Sequence, residues 1–138
     1  MTIEEIQKLD IAGRSILAVD DVPLNLLLIE KMLGRFNFNI RRAGNGQIAL
    51  DEIANSKPDL ILLDIMMPVM DGFEFLSRIR SNPDTADIRI IILSALNSND
   101  DIVRGYQLGA NDFITKPIVM EKLINCIATQ FTLINAGK

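Results

Sequence analysis

Five polar residues stand where apolar runs end. Asp20 and Asp21 follow Ser15–Val19, Asp64 follows Leu60-Ile61-Leu62-Leu63, Ser94 follows Ile88–Leu93, and Lys116 follows Asp112–Thr115. An Asp directly after a buried strand and before the turn Ile65–Gly72 has two readings. It is a nucleophile at a crevice, or it caps the turn, where Asp is common. If the strand ends converge, the chemistry becomes specific. Two carboxylates about 4 Å apart repel by roughly 4 kcal/mol at an effective dielectric near 20. Three together either retain a proton or hold a cation. The chain contains no histidine, so an oxygen-ligated hard cation, Mg²⁺ (or Mn²⁺), is the natural guest, and it keeps room for a phosphate oxygen. A carboxylate can attack phosphorus to give an acyl phosphate. Lys116 and the Ser94 hydroxyl would then neutralise the phosphoryl oxygens, which is most of what phosphoryl transfer requires.

Positioning these groups requires a particular alternation of elements. Ser15–Val19 reads as a buried strand. Pro23 opens a helix in which Leu24, Leu27, Leu28 and Met32 share a face predicted to pack inward, with Gly34 as its stop. Phe38–Arg42 is a more polar edge strand. Gly44-Asn45-Gly46 turns the chain into a helix ending near Asn55. Leu60–Leu63 is a strand apolar on both faces, followed by a helix carrying Phe73, Leu76, Ile79 and Arg80. Ile88–Leu93 is β-branched and strand-like. A helix then runs to Leu108 with Gly109 behind it. Asp112–Thr115 is a fifth strand, and a last helix carries Val119, Leu123 and Ile127 on one face. Strand and helix alternate five times. This predicts an α/β fold with a five-stranded parallel sheet, doubly wound and flavodoxin-like, in the order 2-1-3-4-5. Residues 1–14 form an N-terminal extension with Ile3, Ile6 and Leu9 at helical spacing. Residues 15–131 form the domain, and residues 132–138 a C-terminal tail.

The totals exclude several classes. With 138 residues, 49% hydrophobic, one domain with a substantial core is expected. A net charge of −4 gives no support to nucleic-acid or anionic-membrane binding. No apolar run spans a bilayer, and the acidic start Met1-Thr2-Ile3-Glu4-Glu5 is unlike a signal peptide. The single Cys126 permits no internal disulfide and reads as a small core residue. A cytoplasmic protein is expected. Without histidine, Ser-His-Asp and imidazole–zinc chemistry are excluded. Met66, Met67 and Met70 read as gap-filling rather than as a soft-metal site.

Val19-Asp20-Asp21, Asp64 to Gly72 with its Met-Pro-Val-Met-Asp-Gly ending, Leu93-Ser94-Ala95 and Phe113-Ile114-Thr115-Lys116-Pro117 occur in order. In these four motifs the chain resembles the receiver domain of two-component response regulators, of the chemotaxis-regulator-like kind, over roughly Ser15 to Phe131. The resemblance implies that Asp64 is the phosphoacceptor and Asp21 a direct Mg²⁺ ligand. Asp20 would act partly through water, and the Met66 backbone carbonyl would be the third protein ligand. It makes Ser94 and Phe113 the switch pair and Lys116 the invariant lysine, with a cis bond before Pro117. It names a histidine kinase or histidine phosphotransfer protein as donor. It places the surface that meets a downstream partner on helix 4 of the repeat (ending at Leu108), strand 5 and helix 5, and it allows a phosphorylation-dependent homodimer. Such a chain catalyses only its own phosphorylation and dephosphorylation and is not a turnover enzyme. Met66 and Leu96 are apolar where the chemotaxis-type pattern is polar, so slow self-dephosphorylation is expected, minutes or longer.

Three rivals stand beside this reading. A haloacid-dehalogenase-like phosphatase also uses an Asp after a strand but wants a second Asp two residues on, where this chain has Met66. A flavodoxin-like FMN carrier wants a Ser/Thr/Gly loop where this chain has Asp20-Asp21-Val22-Pro23. A receiver module inside a larger hybrid kinase or relay protein fits the same motifs, since no helix-turn-helix or output enzyme is read in the chain.

Overall fold

A computed structural model describes all 138 residues, Met1–Lys138. The elements are α1 (Ile3–Gln7), β1 (Ser15–Val19), α2 (Pro23–Leu33), β2 (Asn39–Ala43), α3 (Gly46–Asn55), β3 (Leu60–Leu63), α4 (Gly72–Ser81), β4 (Arg89–Ser94), α5 (Asn99–Gln107), β5 (Asp112–Thr115) and α6 (Met120–Asn135). The five strands form one sheet in the order β2-β1-β3-β4-β5, and every pairing is parallel.

The strands are apolar on both faces because both faces are covered. Along β3, Ile61 and Leu63 enter one core with Phe73, Phe75, Leu76 and Ile92. Leu60 and Leu62 enter the other with Leu33, Leu123, Ile127 and Phe131. Each such side chain, fully buried, contributes about 1.5–3 kcal/mol of transfer free energy, so two layers of core hold the carboxyl ends of the strands at one rim.

Three expectations are corrected. On α2 the buried residues are Leu26, Ile29 and Leu33, whereas Leu24, Leu27 and Leu28 are exposed. The helix is apolar nearly all round, so periodicity alone does not choose between two stripes, and the one packed into the core with Phe131 and Leu123 is Leu26, Ile29 and Leu33. Val119 does not share the inward face of Leu123 and Ile127. It is the exposed N-cap of α6, where the chain has not yet entered the helix. The second strand starts at Asn39, because Phe38 leaves the ladder to pack edge-on against Phe131.

The segment before β1 is packed. Ile6 and Ile11 are buried in the core shared with α6. The Met1 ammonium donates to Asn125 Oδ1 on α6 (2.9 Å), and α1 is closed by a Thr2–Glu5 capping box. At the opposite end of the sheet from the acidic rim, Arg80 joins α4 to two loops. Its guanidinium donates to the carbonyls of Gly109 (3.0 Å) and Ala86 (3.0 Å) and to Asn111 Oδ1 (3.0 Å). Cys126 is half-buried, and burial beside the Asp112 carboxylate pushes its thiol up to about 12, so it is inert as a nucleophile.

Candidate functional site

Parallel pairing continues one residue past each strand and thereby assembles the rim. The Asp20 N–H donates to the Ala43 carbonyl (3.1 Å), the Asp64 N–H to the Val19 carbonyl (3.0 Å), and the Lys116 N–H to the Ser94 carbonyl (2.8 Å). The structure therefore brings Asp20, Asp21 and Asp64 together, with one carboxylate oxygen from each lying within 4.8 Å of the others. Asp20 and Asp64 are buried and Asp21 is exposed. Lys116 Nζ sits 3.4 Å from Asp20 Oδ2 and 3.9 Å from Asp64 Oδ1. The Lys116–Pro117 peptide is cis, as the resemblance implies.

The two buried carboxylates are held differently. Asp20 Oδ1 accepts from the Val22 N–H (2.9 Å), and Asp20 Oδ2 accepts from the Asn25 side-chain amide (3.1 Å) and from Lys116. Asp64 Oδ1 accepts only a long bond from the Met66 N–H (3.3 Å). Burial raises the Asp64 carboxyl above its ordinary value. Lys116 opposes that rise, Asp20 adds to it, the Met66 amide lowers it slightly and Asp21 raises it slightly. A cation placed among the three carboxylates would cancel the repulsive part. The donors are all carboxylate oxygens, with neither imidazole nor thiol nearby, which fits Mg²⁺ and does not fit a soft metal.

The remaining expected residues take distinct places. Ser94 ends β4, fully buried, and its hydroxyl oxygen accepts from the Leu96 N–H (3.2 Å). Met66 offers its amide to Asp64 while its side chain is exposed. Phe113 on β5 is buried beneath α5, where Gly105 leaves room for its ring: a Cβ at Gly105 would meet Phe113 Cδ2 at 3.0 Å. The turn after Asp64 closes onto α4 through the Gly72 N–H, which donates to the Ile65 carbonyl (2.9 Å). A Cβ at Gly72 would lie 2.6 Å from the Asp64 carbonyl oxygen, so this approach requires glycine.

Sequence reasoning missed Asn25. Its signal is an amide interrupting Leu24, Leu26, Leu27 and Leu28. It lines a cavity of about 270 Å³ beside the rim, whose other walls include Leu28, Met32, Leu62, Pro117 and Ile118.

Comparison with known proteins follows the same outline. The family model for the response regulator receiver domain matches residues 16–128. Response regulator PleD of Caulobacter vibrioides (strain NA1000 / CB15N) is 41% identical over 103 residues, covering 75% of this chain and 23% of that protein. The chain thus spans about a quarter of that relative's length. The chemotaxis protein CheY4 of Vibrio cholerae superposes with a TM-score of 0.80 at 28% identity, covering 86% of this chain and 98% of that one. The signal receiver domain of a signal transduction histidine kinase from Syntrophus aciditrophicus superposes at 0.81 with 31% identity, covering 87% and 91%.

Proposed function

Since this chain belongs to the response regulator receiver domain family, we propose that it is a phosphoacceptor switch in which Asp64 takes a phosphoryl group from the phosphohistidine of a partner kinase or phosphotransfer protein. The observation that carries this reading is the convergence of Asp20, Asp21 and Asp64 with Lys116 3.9 Å from Asp64. Folding does not require three carboxylates and an ammonium at one strand-end rim.

In the proposed step an Asp64 carboxylate oxygen attacks phosphorus. The P–N bond to the donor imidazole breaks, and its electrons leave with the ring. Asp64 has only one long hydrogen bond on Oδ1, so it is lightly solvated by the protein and keeps nucleophilic character. Asp20, Asp21, Asp64 and the Met66 backbone carbonyl are the residues that would hold Mg²⁺, which supplies charge neutralisation to phosphoryl oxygens when bound. Lys116 pairs with the phosphoryl oxygens from the other side, and Ser94 donates its hydroxyl. The carboxylate's single charge becomes a dianionic acyl phosphate with three more acceptor oxygens, about one negative unit added, and this biases Ser94 and the buried Phe113. The surface of α5, β5 and α6 changes with them. These are helix 4, strand 5 and helix 5 of the repeat, since the N-terminal helix takes the first label here. The change is a population shift between two states. The exposed, apolar Met66 and the half-buried Leu96 offer no group to orient an attacking water, which supports a long-lived adduct.

The test is incubation with Mg²⁺ and acetyl phosphate followed by intact mass. A single phosphoryl adduct is expected, absent in Asp64→Asn; an adduct that survives that change refutes the assignment. A second reading keeps the same chemistry but makes the chain a module of a larger hybrid kinase or relay. It is favoured by the fit to a receiver domain of a histidine kinase and by the small share of PleD that is covered. The haloacid-dehalogenase alternative has no support at Met66, whose thioether cannot act as a general acid.

A further inference from the structure

The donors around Asp20 point to a residue with a role in the transfer beyond those already named. Asp20 is 3% exposed, so both of its oxygens need partners within the protein. Oδ1 is served by the Val22 backbone amide, a contact the fold fixes. Oδ2 is served twice, by Asn25 at 3.1 Å and by Lys116 at 3.4 Å. A carboxylate only accepts, so it is the Asn25 NH₂ that faces it. Of these donors only Lys116 is also within reach of Asp64, and on the phosphoacceptor reading it must turn toward the new phosphoryl oxygens. Without Asn25, that movement would leave Asp20 Oδ2 with no donor from the protein.

Asn25 is placed to prevent that. It sits in the first turn of α2, half-buried, at the wall of a cavity whose lining joins Asp20, Asp64 and Lys116 to apolar residues such as Leu28, Met32 and Ile118. A half-buried amide is unfavourable unless bonded, and at this position the available acceptor is Asp20 Oδ2. Its bond to Asp20 accounts for the amide. Being neutral, it adds no permanent charge that would compete with the cation or with Lys116.

We propose that Asn25 is a positioning residue for phosphoryl transfer: its amide keeps Asp20 Oδ2 satisfied so that Lys116 can leave Asp20 for the oxygens on Asp64. The proposal rests on the phosphoacceptor reading. In Asn25→Leu and Asn25→Ala, Lys116 is retained by Asp20. The maximal rate of adduct formation at saturating Mg²⁺ and acetyl phosphate falls roughly three- to tenfold, the factor expected for the net loss of one ordinary hydrogen bond. Beryllofluoride affinity, read by ¹⁹F NMR without any turnover, falls by a similar factor. Half-saturating acetyl phosphate and the Mg²⁺ dissociation constant by calorimetry stay within about twofold, because neither depends on Lys116 moving. Asn25→Gln, which keeps the amide donor, recovers most of both losses.

A merely structural Asn25 would give the opposite pattern: folded Asn25→Leu with wild-type maximal rate and wild-type beryllofluoride affinity. That result overturns the proposal while the wild-type adduct on Asp64 still upholds the phosphoacceptor reading. Loss of both in Asn25→Gln as well as in Asn25→Ala overturns it too, since the donor would then be irrelevant. A wild-type protein that forms no adduct removes both readings together. If Asn25→Leu does not fold, Asn25→Ala and Asn25→Gln carry the same comparison.

Discussion

Lys116 stands nearer to Asp20 than to Asp64, 3.4 Å against 3.9 Å, so the one ammonium at the rim is paired away from the carboxylate that burial perturbs most. Its position explains why Asp64 is raised although a lysine lies beside it: desolvation exceeds the Lys116 attraction, and Asp20 and Asp21 add to the rise. The rim is therefore under electrostatic tension whenever Asp64 is charged and no cation is bound.

That tension sets a pH dependence. The folded-state carboxyl of Asp64 lies above its ordinary 3.8, so the folded state binds this proton more readily than the unfolded state does. Its contribution to stability is fully present below about 3.8 and is lost as pH rises through the raised value. Asp64→Asn removes the titration. Without divalent cation, it is expected to be more stable than the wild type near pH 7, with the gap closing toward pH 4. Urea melts at both pH values measure it. Millimolar Mg²⁺ should reverse the order at neutral pH, because only the wild type gains strongly from binding. A gap of equal size at both pH values would contradict the mechanism.

Gly72→Ala tests the turn that aims Asp64. The new Cβ would lie 2.6 Å from the Asp64 carbonyl oxygen and 2.6 Å from Ile65 Cα, both backbone atoms that cannot rotate away. A loss of about 3 kcal/mol is expected, at the upper end of overpacking costs, together with slower adduct formation. Gly44→Ala is the control: nothing lies within 4 Å of its Cβ, and a change under about 1 kcal/mol is expected.

Val69→Asn probes strain in the same loop. Val69 has φ 71° and its side chain is 95% exposed. The Met70 N–H donates to the Pro68 carbonyl (2.9 Å) across it, a γ-turn that costs a β-branched residue on the order of 1–3 kcal/mol. Asparagine tolerates the left-handed region. A gain of about 1 kcal/mol, a few degrees in Tm, is expected; unchanged or lower Tm would show that no strain is relieved.

The parallel sheet was legible from the alternation of strand and helix, with its order that of the flavodoxin-like fold. The convergence of Asp20, Asp21, Asp64 and Lys116 was legible because each apolar run stops at a polar residue and parallel topology puts such stops at one rim. Helix faces were less legible. Leu24, Leu27 and Leu28 form a stripe as apolar as Leu26, Ile29 and Leu33, and only packing against the sheet decides between them. Arg80 reads as one more position in a helical repeat, yet its guanidinium joins Ala86 just beyond its own helix to Gly109 and Asn111, some thirty residues on. Asn25 bonds to a residue five positions back across a strand end, a relation no helical spacing encodes.

Gly105→Ala bears on the proposed switch. A Cβ there would lie 2.9 Å from Ile92 Cδ1 and 3.0 Å from Phe113 Cδ2, so either the ring leaves its buried place or α5 lifts from β5. Alanine gains about 1 kcal/mol of helix propensity over glycine, and overpacking removes about 1–3 kcal/mol, for a net loss near 1 kcal/mol. If phosphorylation packs Phe113 still more tightly beneath α5, the clash grows in the activated state, and beryllofluoride affinity drops about fivefold for each further 1 kcal/mol. Phe113→Leu shortens the side chain that the new methyl group strikes. The double variant should therefore recover most of the stability lost by Gly105→Ala, giving a coupling near 1 kcal/mol in a double-mutant cycle. Strict additivity would show that α5 and Phe113 do not press on one another. A stability loss with unchanged beryllofluoride affinity would separate this contact from the response to phosphorylation.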